Sequence, residues 1–149
     1  MNGEEMWQVF CHNTDTDINK RHDIWKFCGG GEWADELANL VLDGIKTATA
    51  SAKIAYDMYG EELPGVGTYS VILFDNEEAA CIIRNIKVSV VPFHQVSAEH
   101  AYKEGEDDRS LEKWRVVHRR AFTTDYQAAG LPFDEKGDCV LEEFEVVYR

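Results

Sequence analysis

The chain has 149 residues, 44% hydrophobic and 29% charged, enough apolar material for one buried core in a soluble globular protein. Its 28 acidic side chains outnumber 15 basic ones, and the net charge of -13 excludes binding to long nucleic acid through a broad positive field. No apolar run approaches the roughly 20 residues of a membrane helix, so no membrane association is expected.

The N-terminus, MNGEEMWQVF, carries acids where an export signal carries cations, which points to a cytoplasmic protein. Residues 4–20 form an amphipathic helix candidate through Met6, Val9, Phe10 and Ile18, and Cys28-Gly-Gly-Gly31 breaks the chain after it. A clearer helix runs from Trp33 to Asp43, with Leu37, Leu40, Val41 and Ile45 at helical spacing and Gly44 as its stop. Leu63-Pro-Gly-Val-Gly67 is a turn, Thr68 to Phe74 a strand, and Asp75-Asn-Glu-Glu78 a hairpin connection into a long strand from Ala79 to Val91. Ser97 to Lys103 is a short helix. Asp108 or Ser110 caps the next, where Leu111, Trp114, His118 and Phe122 form one stripe. Cys139 to Tyr148 closes the chain as a strand. Helices at both ends of a strand-rich middle argue an α+β fold with an antiparallel sheet. The four cysteines, Cys11, Cys28, Cys81 and Cys139, show no metal spacing and read as reduced thiols.

Three stretches can carry chemistry. Gly44-Ile-Lys-Thr-Ala-Thr-Ala-Ser51 sets a lysine and three hydroxyls among small residues, so a ligand can approach the backbone. A desolvated lysine there is a candidate base, and a neighbouring hydroxyl a candidate nucleophile. A helix end followed by a threonine-rich strand explains the same residues without chemistry. The second stretch packs Glu104, Glu106, Asp107 and Asp108 into five positions. These acids suit a helix start, a reacting carboxylate, or oxygen ligands for a divalent cation near Glu104, Glu106 and Asp108, although no cofactor is expected. Third, Arg109 to Arg120 holds five cations against the single acid Glu112, which is either a phosphate-binding surface or a solvated helix face. His118, on the apolar stripe, reads as a satisfied core histidine.

In order and spacing, Leu37 to Ser51, Leu63 to Gly67, Val91-Pro-Phe93, and Glu104 to Leu111 followed by Trp114, His118 and Phe122 resemble the ASCH domain family. The resemblance covers residues 33–148, with 1–31 as an N-terminal helical extension of a single domain spanning 1–149. It implies a PUA-like fold, a small and mostly antiparallel β-barrel flanked by helices, and a cleft for RNA or a modified nucleoside. Some bacterial members are hydrolases that remove the acetyl group of N4-acetylcytidine. By that resemblance Thr49 is the nucleophile, Lys46 its base and Glu104 the group that positions or stabilises the transition state. Thr47, Ser51, Arg84, Arg109 and Arg115 are then candidate substrate contacts. The short amidohydrolases carry an arginine where this chain has Ser51. Longer members have been linked to cleavage of single-stranded RNA, so a ribonuclease and a non-catalytic RNA-binding module stand as alternatives.

Overall fold

In a computed structural model describing residues 1–149, the chain forms five α-helices and five strands, an α+β architecture. In chain order these are α1 (Gly3–Thr14), β1 (His22–Trp25), α2 (Glu32–Leu42), β2 (Ala48–Ala52), α3 (Lys53–Tyr59), β3 (Tyr69–Leu73), β4 (Ala79–Pro92), α4 (Ala98–Glu104), α5 (Leu111–Ala128) and β5 (Asp138–Tyr148). The strands hydrogen-bond in the order β1-β3-β4-β5-β2. No helix is long and apolar enough to cross a membrane, and no disulfide links the four cysteines.

Two compact units are distinguishable. The first comprises Met1–Ile45, Val66–Ile86 and Phe144–Arg149. All five residues of β3 are buried, because helices cover both of its faces. Tyr69, Val71 and Leu73 pack with Ile82 against Met6, Trp7 and Phe10 of α1, while Ile72 joins Leu37, Ala38 and Val41 of α2. A strand buried on both sides reads as a continuous apolar run rather than an alternating one.

Helix α1 is shorter than its periodicity predicts. It begins in a reciprocal cap between Asn2 and Glu5 and stops at Thr14, whose hydroxyl donates back to Phe10 O at 2.7 Å. Beyond it Asp17 accepts from the Asn19 backbone N–H at 2.9 Å, an Asx turn that competes with helix. The sheet also departs from all-antiparallel, since β1 pairs parallel with β3, His22 opposite Tyr69 through Trp25 opposite Ile72. Such a pairing needs a long crossover, and here α2, β2 and α3 lie between the two strands in sequence.

The second unit comprises Lys46–Gly65 and Lys87–Glu143. Strand β2 pairs antiparallel with β5, Ala48 opposite Glu143 and Ala52 opposite Cys139. Residues directly opposite share a face, and Ala50, Ala52, Cys139 and Leu141 turn theirs towards Phe93, Val96, Ala101, Trp114 and Phe122. By strict alternation Thr49 and Ser51 occupy the opposite face of β2. The α5 stripe forms as the spacing predicts, with Trp114, His118, Phe122 and Tyr126 buried. Ser110 caps this helix, accepting from the Lys113 N–H at 3.1 Å. Helix α3 escapes sequence reading because it buries no residue and so has no apolar stripe to detect.

Phe93 sits where these elements meet, with ring centroids 5.5 Å from Trp114, 6.1 Å from Phe122 and 5.1 Å from Phe133. Phe93→Ala is expected to lower stability by about 3–5 kcal/mol, read as a lower midpoint in urea unfolding.

Candidate functional site

Helix α4 ends at Glu104, and its last carbonyls have no partners within the helix. Those of Lys103 and Glu104 are met by the segment that leads into β2. The Thr47 backbone N–H donates to Lys103 O at 2.8 Å and the Thr47 hydroxyl to the same atom at 3.3 Å. The Lys46 ammonium reaches Glu104 O at 3.4 Å. A cation is the charge that a helix C-terminus favours. These contacts explain why a short loop after a helix stop ends up beneath α4.

The same geometry brings Lys46 to two carboxylates, 3.3 Å from Glu104 Oε1 and 2.8 Å from Glu106 Oε2. Lys46 and Glu104 are each 1% exposed, whereas Glu106 is 23% exposed and forms the solvent edge of the cluster. Glu106 is presented by a tight loop in which Gly105, Asp107 and Arg109 all have positive φ. Asp108 turns away to accept from the Ser110 N–H at 2.9 Å.

Glu104 is met from the helices as well. His100, one turn earlier on α4, places Nε2 at 2.8 Å from Oε2. The Trp114 indole N–H donates to that oxygen at 2.6 Å. His118, one turn along α5 from Trp114 and stacked on it at 4.0 Å, places Nε2 at 3.4 Å from Oε1. Both helices thus use i,i+4 spacing to set two polar atoms on one face. Each carboxylate oxygen has two partners, which fills the acceptor capacity of the group.

Burial alone disfavours the Glu104 charge, but the Lys46 ammonium and the hydrogen bonds from His100 and His118 outweigh it and hold the carboxyl well below the usual range. Burial raises the Glu106 carboxyl, with Lys46 opposing the shift and Glu104 adding to it. For His118, burial lowers the imidazole, yet its interactions with Glu104 prevail and the net shift is upward. Geometry agrees. His118 Nδ1 lies 2.8 Å from Trp114 O and must donate there, so Nε2 needs a second proton to face a carboxylate favourably.

Of the residues predicted from sequence, Lys46 and Glu104 come together, with Thr47 beside them. Thr49 lies on β2 and forms no hydrogen bond with either. Ser51 pairs with the Tyr56 hydroxyl at 3.0 Å. Arg109 lies over the Tyr102 ring at 3.7 Å and donates to Tyr102 O at 3.0 Å. Arg115 donates to His94 O at 3.1 Å, and its Nε is buried without a partner. Arg84 belongs to the first unit, ion-paired with Glu145.

Sequence reasoning missed the chemistry of His100, Trp114 and His118. His118 is buried on the α5 stripe as predicted, but it also faces Glu104. The readable signal was a pair of i,i+4 spacings, His100 to Glu104 and Trp114 to His118.

Glu104, Glu106 and His118 could also hold a metal ion, with one donor atom from each lying within 4.8 Å of the others. Lys46 already brings a positive charge against both carboxylates. A divalent ion there would have to displace that ammonium, so the donor set fits an internal cation better than a metal.

The sequence model of the ASCH domain family matches residues 23–148. The ASCH domain from Lactobacillus crispatus JV V101 superposes with a TM-score of 0.88 at 32% identity, over 97% of this chain and 96% of that one. Protein EF3133 from Enterococcus faecalis V583 gives 0.90 at 35% identity, over 99% of this chain and 88% of that one. Hypothetical protein PH0355, at 16% identity and a TM-score of 0.56, shares the fold alone, over 85% of this chain and 99% of that one. No curated protein matches the chain.

The opposed shifts give the cluster a defined pH profile. Glu104, shifted down, contributes stability that is complete above the ordinary glutamate value of about 4.3 and is lost as pH falls through its lower folded value. His118, shifted up, contributes fully below about 6.5 and loses this as pH rises through its higher folded value. Glu106, also shifted up, contributes fully below about 4.3 and loses this on the alkaline side of it. Urea midpoints measured from pH 3 to 9 should therefore peak near the ordinary glutamate value of about 4.3 and decline on the alkaline side, first through Glu106 and then through His118, and His118→Gln should flatten the limb above about 6.5. Stability that rises from pH 6 to 8 equally in both proteins contradicts this assignment.

Proposed function

Because the chain belongs to the ASCH domain family, whose fold is generally linked to RNA binding, we propose that it binds RNA or a modified nucleoside beside the Lys46–Glu104–Glu106 cluster and hydrolyses an N-acylated cytidine-type base there. The observation that carries this reading is the convergence of Lys46 and Glu104 across 58 positions of sequence into a pair sealed from solvent. A buried ion pair is weak evidence for stability alone, since well-packed apolar residues serve a core as well. Chemistry gives it a reason to be there.

In this reading Thr49 attacks the acyl carbon, and Lys46 takes the hydroxyl proton and returns it to the leaving nitrogen. Water then hydrolyses the acyl-threonine ester with the same lysine as base. Lys46 donates to Glu104 and Glu106 at rest, so it must first pass a proton on. Glu106 is the suited acceptor, being at hydrogen-bond distance, partly exposed and raised as an acid. Glu104, with its acceptor positions filled, stays ionised and holds the lysine in place.

A second reading, a binding module without turnover, draws support from Thr49. It lies on the face of β2 opposite Ala50 and Ala52 and forms no hydrogen bond with Lys46. Thr49→Ala decides between the two, because a partly buried threonine outside the ion-pair network can be shortened without unfolding the protein. Chromatographic assay of N4-acetylcytidine should register release of cytidine by the native protein, a loss of at least about 1000-fold in Thr49→Ala, and partial recovery in Thr49→Ser. No turnover by the native protein leaves the binding module.

A further inference from the structure

Among the groups around Glu104, His118 has a protonation state that its contacts dictate. Its Nδ1 lies 2.8 Å from Trp114 O, and a carbonyl only accepts, so that nitrogen carries a proton. Its Nε2 lies 3.4 Å from Glu104 Oε1. A neutral ring, with its one proton on Nδ1, would turn a lone pair on the carboxylate. Only the imidazolium meets both contacts. The ring also stacks on the Trp114 indole at 4.0 Å with 14° between planes, and an indole face attracts a cation.

The two oxygens of Glu104 divide their partners. Oε2 takes the His100 ring at 2.8 Å and the Trp114 indole at 2.6 Å. Oε1 lies between Lys46 Nζ at 3.3 Å and His118 Nε2 at 3.4 Å, so two cations share one oxygen. Glu106 adds the second anion, 2.8 Å from Lys46. Cys139 on β5 adds no charge, because burial pushes its thiol up to about 12. Two cations thus stand against two anions.

That balance matters to a lysine that must act as a base. When Lys46 passes its proton to Glu106, both groups become neutral and Glu104 keeps its charge. Without a second cation the step would strand a buried carboxylate, which is strongly unfavourable. With His118 charged, one cation and one anion remain, and they are already in contact.

We propose that His118 is a positioning residue, the standing counter-cation of Glu104, which lets Lys46 give its proton to Glu106 without leaving the buried carboxylate alone. It acts through Glu104 and Lys46 rather than on substrate. Its use in turnover rests on the functional reading above, but its partnership with Glu104 does not.

The test begins with ¹⁵N NMR of the histidine rings in the native full chain at pH 7. Both nitrogens of His118 should be protonated, and a neutral ring would overturn the proposal whether or not any variant folds. Urea midpoints of Lys46→Met, His118→Gln and the double variant follow. Glutamine keeps an N–H for Glu104 and removes the charge. Two cations that share an anion repel each other and back each other up. The double variant should therefore lose more than the two single losses together. Additive losses would mean that His118 serves Glu104 only as a hydrogen-bond donor, which contradicts the proposal. In turnover of N4-acetylcytidine, His118→Gln should lower kcat at least about 100-fold and leave KM within about twofold. An unchanged kcat in the folded variant removes the positioning role. No turnover by the native protein, with a protonated ring and coupled losses, refutes the hydrolase and keeps the counter-cation; turnover with a neutral ring does the reverse.

Discussion

A carboxylate that is 1% exposed cannot keep its charge without partners, and Glu104 has four: Lys46, His100, Trp114 and His118. Removing an ion from water costs several kcal/mol even after relaxation, and the cost is offset only when every lone pair is met. Each partner comes from a different stretch of the second unit or a different turn of a helix. Satisfying this one group therefore sets the turn of α4 that carries His100, the rotation of α5 about its axis, and the path of the chain into β2. Thr47 and Lys46 complete the arrangement by meeting the last carbonyls of α4.

The second carboxylate has a different character. Glu106 shares Lys46 but sits at the edge, partly exposed, on a loop with two non-glycine residues at positive φ. Backbone of that kind is held by its surroundings rather than preferred, and it recurs where a side chain must be aimed. Glu104 is thus a fixed anion and Glu106 an adjustable one, with a single ammonium between them. That asymmetry suits a proton that must move, and it underlies the reading of Lys46 as a base.

Much of the framework was legible in the sequence, because periodicity and punctuation report burial directly. The α5 stripe, the stop at Gly44, the hairpin at Asp75–Glu78 and the cap at Ser110 all follow from local rules. β1 and α3 were not legible, since one is four residues long and the other buries nothing. In the site, Glu104 stood out as an acid too early to serve the helix start, and its pairing with Lys46 followed from the family resemblance. Spacing left His100 and His118 among ordinary histidines. A histidine in an apolar stripe reads the same whether its nitrogens meet a carbonyl or a carboxylate, and for His118 the difference depends on Glu104, which arrives from another helix 14 positions away.

The central claim is that Lys46 and Glu104 act as one unit rather than as two separately buried groups. A double-mutant cycle on Lys46→Met and Glu104→Gln, read by urea unfolding at pH 6, tests it most directly. The account predicts that the two substitutions together cost less than the sum of their separate effects by at least about 1.5 kcal/mol. Additivity to within about 0.5 kcal/mol would contradict it.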